Sequence, residues 1–304
     1  MSVFLIFSAN ALTFVRWHLL LKAIDINIRL MTTLRLGFMG FLFGFVAPGQ
    51  LGGDVFKAVF IAREQRKRKL AAIASILIDR LCGLYGLLLV TAAGLLVTGL
   101  AARHAFVNIV ANATYACAII GGFGIAVILT PGATRSRIAL SATNIPAIGR
   151  AVRRLFRATE LFQQRKLVLL QIGLLSLIVH LLVAIGLFAA ARGIYSDSPG
   201  IEDHLVISPI AGVAGALPLF PGGAGSYEAA VDVLYDLFSP PTVAGRGVVV
   251  GLLYRFATII VASVGLVFYW TGRREVSDVL QQVRAETELC PPGEQLKSQY
   301  DITV

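Results

Sequence analysis

The chain has 304 residues, of which 57% are hydrophobic and only 14% charged, with a formal net charge of +10 and a mean hydropathy of +0.78. A soluble domain of this length carries more charge and lacks repeated apolar runs of spanning length, so a soluble fold is excluded. The excess of lysine and arginine is no nucleic-acid footprint either, because those residues flank apolar segments instead of covering a folded polar face.

In chain order, Ser2–Lys22 is the first apolar run. About 20 such residues cross a bilayer as a helix. No basic region precedes it and no small-residue cleavage site follows, so it is not a signal peptide. Arg16, Trp17 and Lys22 sit at its far end and read as interfacial anchors. Leu34–Val46 is apolar but too short to cross, and Pro48-Gly49 ends it. Gly52-Gly53 opens a second short helix, Asp54–Ala62, and the basic loop Arg63–Lys69 follows. Two half-helices meeting at a Gly/Pro break predict a re-entrant hairpin buried in protein or lining water. Full spans are expected at Ala71–Thr98, which carries Asp79 and Arg80, and at Ile109–Thr130.

Residues 131–166 are polar and hold eight basic residues. Ile148, Val152, Leu155, Thr159 and Phe162 recur there at helical spacing, interleaved with Arg150, Arg153, Arg154 and Arg157. This pattern fits a helix lying on an anionic membrane face, or a solvated basic linker. Leu167–Ala191 is the next span, and the loop after it holds Asp197, Glu202 and Asp203. Leu205–Leu219 is again short and apolar, Ser226–Phe238 is a second short helix, and Val248–Trp270 is the last span. The polar residues 272–304 read as a mobile tail.

The two short-helix pairs are near copies. Ala47–Asp54 (APGQLGGD) matches Phe220–Glu228 (FPGGAGSYE), with Pro48 against Pro221, Gly52 against Gly225 and Asp54 against Glu228. Roughly seven helical turns beyond each acid lies one arginine within a span, Arg80 and then Arg255. The fold class is therefore all-α. It is a polytopic helical membrane protein with five full spans and two re-entrant half-helix hairpins related by an internal repeat. The membrane domain covers 1–271, with repeat halves at about 34–98 and 205–270 and a basic cytoplasmic segment at 131–166; the tail covers 272–304.

Charge sets the expected orientation. The loops at 22–35, 63–69, 131–166 and 272–304 hold 20 of the 27 Lys and Arg, against Arg103, Arg192 and Arg246 on the other side. The basic side, with the C-terminus, is then cytoplasmic. The hairpins enter from opposite faces, which is the inverted repeat of many transporters. Residue 1 falls outside, so a further helix upstream is expected in the natural chain.

Arg80 and Arg255 are the sharpest site candidates. A cation at a helix centre costs roughly 2.5–3.5 kcal/mol on insertion scales, and guanidinium forks match phosphate oxygens. They bind an anionic head group, or they form internal ion pairs with Asp54, Asp79 or Glu228. Asp79 and Arg80 are neighbours, point to different sides of the helix and need different partners. Asp54 and Glu228 begin helices, where a carboxylate complements the dipole or gates and couples protons. Glu228, Asp232 and Asp236 share one helix face, as beside a water-filled cavity, and Asp79 and Asp232 join the gating or proton-coupling candidates. Gly52, Gly53, Gly223 and Gly225 allow close approach and aim free N–H groups at a substrate anion. No catalytic residue, cofactor or metal site is expected. Cys82, Cys117 and Cys290 have no ligand spacing, and His18, His104, His180 and His204 are scattered.

The stretches RWHLLLKA (16–23), APGQLGGDVFKA (47–58), ASILIDRLCGL (74–84), ALPLFPGGAGSYEAAV (216–231) and LLYR (252–255) resemble the lysylphosphatidylglycerol synthase transmembrane-region family of flippase-like proteins. The resemblance implies translocation of an aminoacylated or other anionic phospholipid, or of a polyprenyl-linked lipid, across the cell (inner) membrane. In members that also synthesise lysyl-lipid a separate soluble domain does the transfer, and no such stretch is seen here. It also implies one more segment before the RW motif. The competing readings are a membrane-embedded lipid-modifying transferase and an accessory subunit of such an enzyme.

Overall fold

The computed structural model describes residues 1–45, 51–65, 68–102, 105–130, 166–217, 220–238 and 245–271. Among these the chain forms nine α-helices and one 3-10 turn, Leu100–Ala102, with no sheet. The helices are α1 (Ser2–Ala23), α2 (Leu30–Gly44), α3 (Leu51–Glu64), α4 (Lys69–Thr98), α5 (Ala105–Leu129), α6 (Lys166–Arg192), α7 (Ile201–Ala216), α8 (Ser226–Phe238) and α9 (Arg246–Thr271). Five stretches are long and apolar enough to cross a membrane: Ser2–Ala23, Ala71–Thr98, Val107–Ala126, Leu167–Arg192 and Arg246–Thr271. Their outer faces stay apolar, with Ile109, Phe123, Leu167, Phe256 and Trp270 all exposed. Helices apolar on every side need a non-aqueous surround. This is a multi-pass membrane protein.

Local chemistry fixes the helix ends. Gly99, in the left-handed region at φ 60°, closes α4. At the start of α7, Asp203 accepts from the Gly200 N–H at 2.9 Å. Glu228 does the same for Gly225 at the start of α8, at 2.8 Å. Each acid lies in the first turn, where it completes a bare N–H and meets the positive dipole end. The Arg68 guanidinium donates to the carbonyls of Ile24 and Asp25, closing the end of α1.

α1 and α6 run antiparallel as a central pair. The Ser2 hydroxyl donates to the Gly186 carbonyl at one end, and Arg16 donates to Ser176 further along. Around this pair the packing repeats. α2 lies on α3 and on α9; α7 lies on α8 and on α4; α3 packs on α4 and α8 on α9. Glycines permit the closest crossings. Gly94 of α4 faces Leu205 and Val206 of α7, and Gly265 of α9 faces the Phe38 carbonyl of α2. Small residues let helices approach where lipid gives no hydrophobic drive to associate.

The outer ends of the short helices reach opposite ends of the bundle. Leu36, Phe56 and Ile61 cluster with Ala72 and Ile76 near the start of α4. Val206, Leu237 and Phe238 cluster with Leu95 and Leu100 at its far end. The observed helices are slightly longer than the apolar runs: α2 begins at Leu30 and α7 at Ile201, because polar first turns carry no hydropathic signal. One expectation is corrected. Arg16 and Trp17 are not interfacial anchors but are buried within the bundle. The Pro48-Gly49 turn, the amphipathic pattern at 148–162 and the tail at 272–304 lie outside the described residues.

Candidate functional site

The second break lies against the end of α2. Gly222 rests on Phe45, the residue that closes α2, so closely that a Cβ added there would lie 3.3 Å from the Phe45 Cα. Within each short-helix pair a glycine seats one limb on the other. Gly53 of α3 presses on the Gly40 backbone of α2, and Gly223 presses on the Gly215 backbone of α7. Gly223 also has φ 68°, which side-chain-bearing residues rarely adopt. These two glycines are buried, while Gly52 is half-buried and Gly225 exposed.

Arg255 of α9 stitches the second break together. Its Nε donates to Glu228 Oε1, and its Nη2 donates to Glu228 Oε2 at 3.1 Å. Its Nη1 and Nη2 also donate to the carbonyls of Gly222 and Gly223, at 3.0 Å and 2.8 Å. At Gly222 and Gly223 the carbonyls face this cation, while the Gly225 N–H faces the Glu228 carboxylate. The Arg255 side chain is 17% exposed and that of Glu228 is 6% exposed.

Arg80 is held very differently. Its Nε donates to Asp54 Oδ2 at 2.6 Å, yet its side chain is 52% exposed. The other carboxylate oxygen of Asp54 takes a second cation, Lys57 Nζ at 2.8 Å, one helical turn on. Lys57 is buried, with its ammonium 5.4 Å from the centre of the Trp17 ring. Two cations on one carboxylate leave this cluster with one excess positive charge. Sequence reasoning gave Lys57 no role. Its i,i+3 spacing from Asp54 was the available signal.

The remaining acids lie apart. Asp79 pairs with Arg16 of α1, Nε to Oδ1 at 2.8 Å, with the two side chains 7% and 4% exposed. Arg16 also donates to the Ser176 hydroxyl at 3.0 Å and the Asp79 carbonyl at 3.2 Å. Asp79 and Arg80 therefore do serve different partners. Asp232 accepts from the Val248 N–H at 3.1 Å, capping the first turn of α9. Asp236 is exposed. The charged site candidates thus fall into two clusters, Asp54–Lys57–Arg80 and Glu228–Arg255–Gly222–Gly223, plus a buried Arg16–Asp79 strut and the Asp232 cap.

The model of the lysylphosphatidylglycerol synthase TM region matches residues 1–265, which include every residue of these clusters. The chain belongs to the lysylphosphatidylglycerol synthase transmembrane-region family. Comparisons with curated proteins and with solved structures gave no match. In this family member the resembling motifs fall on the charged clusters: the RW pair supplies Arg16 and Trp17, the APGQLGGDVFKA stretch Asp54 and Lys57, and LLYR ends on Arg255.

Proposed function

We propose that this family member translocates an anionic lipid, or a lipid-linked anion, across the cell membrane, with the head group received at Arg80. The half-exposed guanidinium of Arg80 on a spanning helix carries this reading. An exposed cation in a lipid-surrounded bundle is costly and implies a polar path at that point. The single excess charge of the Asp54–Lys57–Arg80 cluster suits one phosphate.

On this reading the α2–α3 and α7–α8 pairs are re-entrant hairpins of an inverted repeat, entering from opposite leaflets. The clustering of their outer ends at opposite ends of α4 supports this. Asp54 holds Arg80 when no substrate is bound, and Glu228 holds Arg255 throughout, so that neither cation stands unpaired in an apolar medium. Arg255 and the glycine turn form the second station of the path. Asp79 and Asp232 keep the frame in place. The basic loops and the C-terminus face the cytoplasm.

The test is reconstitution into liposomes containing labelled phosphatidylglycerol, with exchange between leaflets read by quenching of outer-leaflet label. Arg80→Ala is expected to abolish exchange while retaining a monodisperse, cooperatively unfolding protein. Wild-type exchange in a folded Arg80→Ala protein overturns the assignment. Formation of a modified lipid from an activated donor would replace transport with a transferase reading.

A further inference from the structure

We infer that Lys57 is a positioning residue that keeps Asp54 paired when Arg80 turns to the substrate phosphate. This rests on the transport reading above and assigns the residue that makes the hand-over possible. Asp54 has a separate oxygen for each cation, Oδ1 for Lys57 and Oδ2 for Arg80. The two cations differ in freedom. Lys57 is 11% exposed along its side chain. Its stem crosses Gly40 of α2, and its ammonium lies over Trp17. Trp17 is itself fixed by donation to the Ser75 hydroxyl at 3.1 Å. Arg80 is half exposed on the neighbouring helix. The fixed cation stays and the free one leaves.

The energetic reason is the asymmetry of buried pairs. Removing one partner strands a charge, and that is far costlier than the net gain from the pair itself. Were Arg80 the sole partner of Asp54, every substrate capture would leave an unpaired carboxylate inside the bundle. With Lys57 in place the carboxylate stays neutralised throughout. Among the described residues the second cluster has no second cation of this kind. The residue at the Lys57 position of the repeat is Val231, which is fully buried. Glu228 is paired by Arg255 and by its own Gly225 N–H. Arg255 is tied to two backbone carbonyls as well. The halves therefore divide the work: the Arg80 half exchanges partners and the Arg255 half holds still.

The experiment compares wild type, Lys57→Met and the double variant Asp54→Asn/Lys57→Met. In Lys57→Met, Asp54 keeps Arg80, so the protein folds but Arg80 is trapped. In the double variant no carboxylate remains to trap it. Two readouts are taken. One is the rate at which phenylglyoxal modifies Arg80 in the detergent-purified protein, read by peptide mass spectrometry. The other is exchange of labelled phosphatidylglycerol in liposomes. Lys57→Met is expected to slow both by about tenfold or more, and the double variant to bring both back to within about threefold of wild type. A Lys57→Met protein whose Arg80 reacts as in wild type overturns the inference. So does a folded double variant with no recovery, the result expected if Lys57 were only a strut or itself gripped the phosphate. If wild type exchanges no lipid, the transport reading fails by itself, and the Arg80 modification rates still decide the role of Lys57.

Discussion

Replacing each membrane arginine by lysine separates a lock from a receptor. Arg255 spans a carboxylate and two carbonyls through three nitrogens. A lysine ammonium keeps the charge but gathers its donors on one atom, so it can hold Glu228 and must give up the fork. Hydrogen bonds to a charged group contribute about 1.5–3 kcal/mol each. Losing the bonds to Gly222 and Gly223 therefore costs about 3 kcal/mol or more. Arg80→Lys loses only geometry around one contact on a half-exposed side chain, worth under about 1 kcal/mol. The difference of about 2 kcal/mol is a factor of roughly 30 in the unfolding equilibrium. Denaturation in mixed micelles with increasing SDS, followed by the reactivity of half-buried Cys82, reads this directly. Arg255→Lys is expected to unfold at clearly lower denaturant and Arg80→Lys close to wild type. Equal shifts, or a larger one for Arg80→Lys, would refute the division into a fixed and a free arginine.

Three further outcomes follow from contacts elsewhere. Asp79→Asn strands Arg16 in a site where both side chains are buried, so a loss of about 3–5 kcal/mol is expected in the same denaturation, and Arg16→Met/Asp79→Asn should recover much of it. Gly53→Ala and Gly223→Ala push a methyl into backbone that cannot swing aside; each should cost at least about 1–3 kcal/mol, whereas Gly173→Ala and Gly212→Ala meet nothing within 4 Å and should be neutral or better. In the loop before α7, the hydrogen bond from Arg246 holds Asp197 below its ordinary carboxylate value. A depressed carboxylate stabilises the fold above the unfolded-chain value and loses that as pH falls, so wild type should exceed Asp197→Asn above about pH 4 and converge with it below.

The spans were legible because only long apolar stretches satisfy a bilayer, and the breaks because glycine and proline interrupt them visibly. The pairing of Arg80 with Asp54 and of Arg255 with Glu228 was within reach, since each arginine sits at nearly the same distance after its acid. Whether such a pair was locked or open was not legible. That depends on two carbonyls near Arg255 and on Lys57 beside Asp54, which are facts of backbone direction and third partners. The Arg16–Asp79 pair was missed outright. α1 is apolar all round, so no periodicity marks which face turns inward, and an arginine beside a tryptophan near a helix end looks like an anchor. Partner choice among lipid-bathed helices is set by small residues and polar contacts, and these leave almost no periodic trace.

The direction from which each short-helix pair enters decides whether the two arginine clusters can serve one path. Arg68, just beyond α3, reaches the end of α1, so the chain on either side of the first pair lies at one end of the bundle. The second pair ends beside Leu95 and Leu100, at the other end of α4. If α4 crosses the bilayer, the connections before α2 and after α3 face one compartment and the connection before α7 faces the other. Single cysteines at Asn27, Gln65 and Ser196, in a protein whose own Cys82, Cys117 and Cys290 are replaced by serine, report this with a membrane-impermeant maleimide. Asn27→Cys and Gln65→Cys should react from one face, the one carrying the basic loops, and Ser196→Cys from the opposite face. Labelling of all three from one face would place both breaks in the same leaflet. Arg80 and Arg255 would then have no route between leaflets to share, and the transport reading would fall even with every ion pair intact.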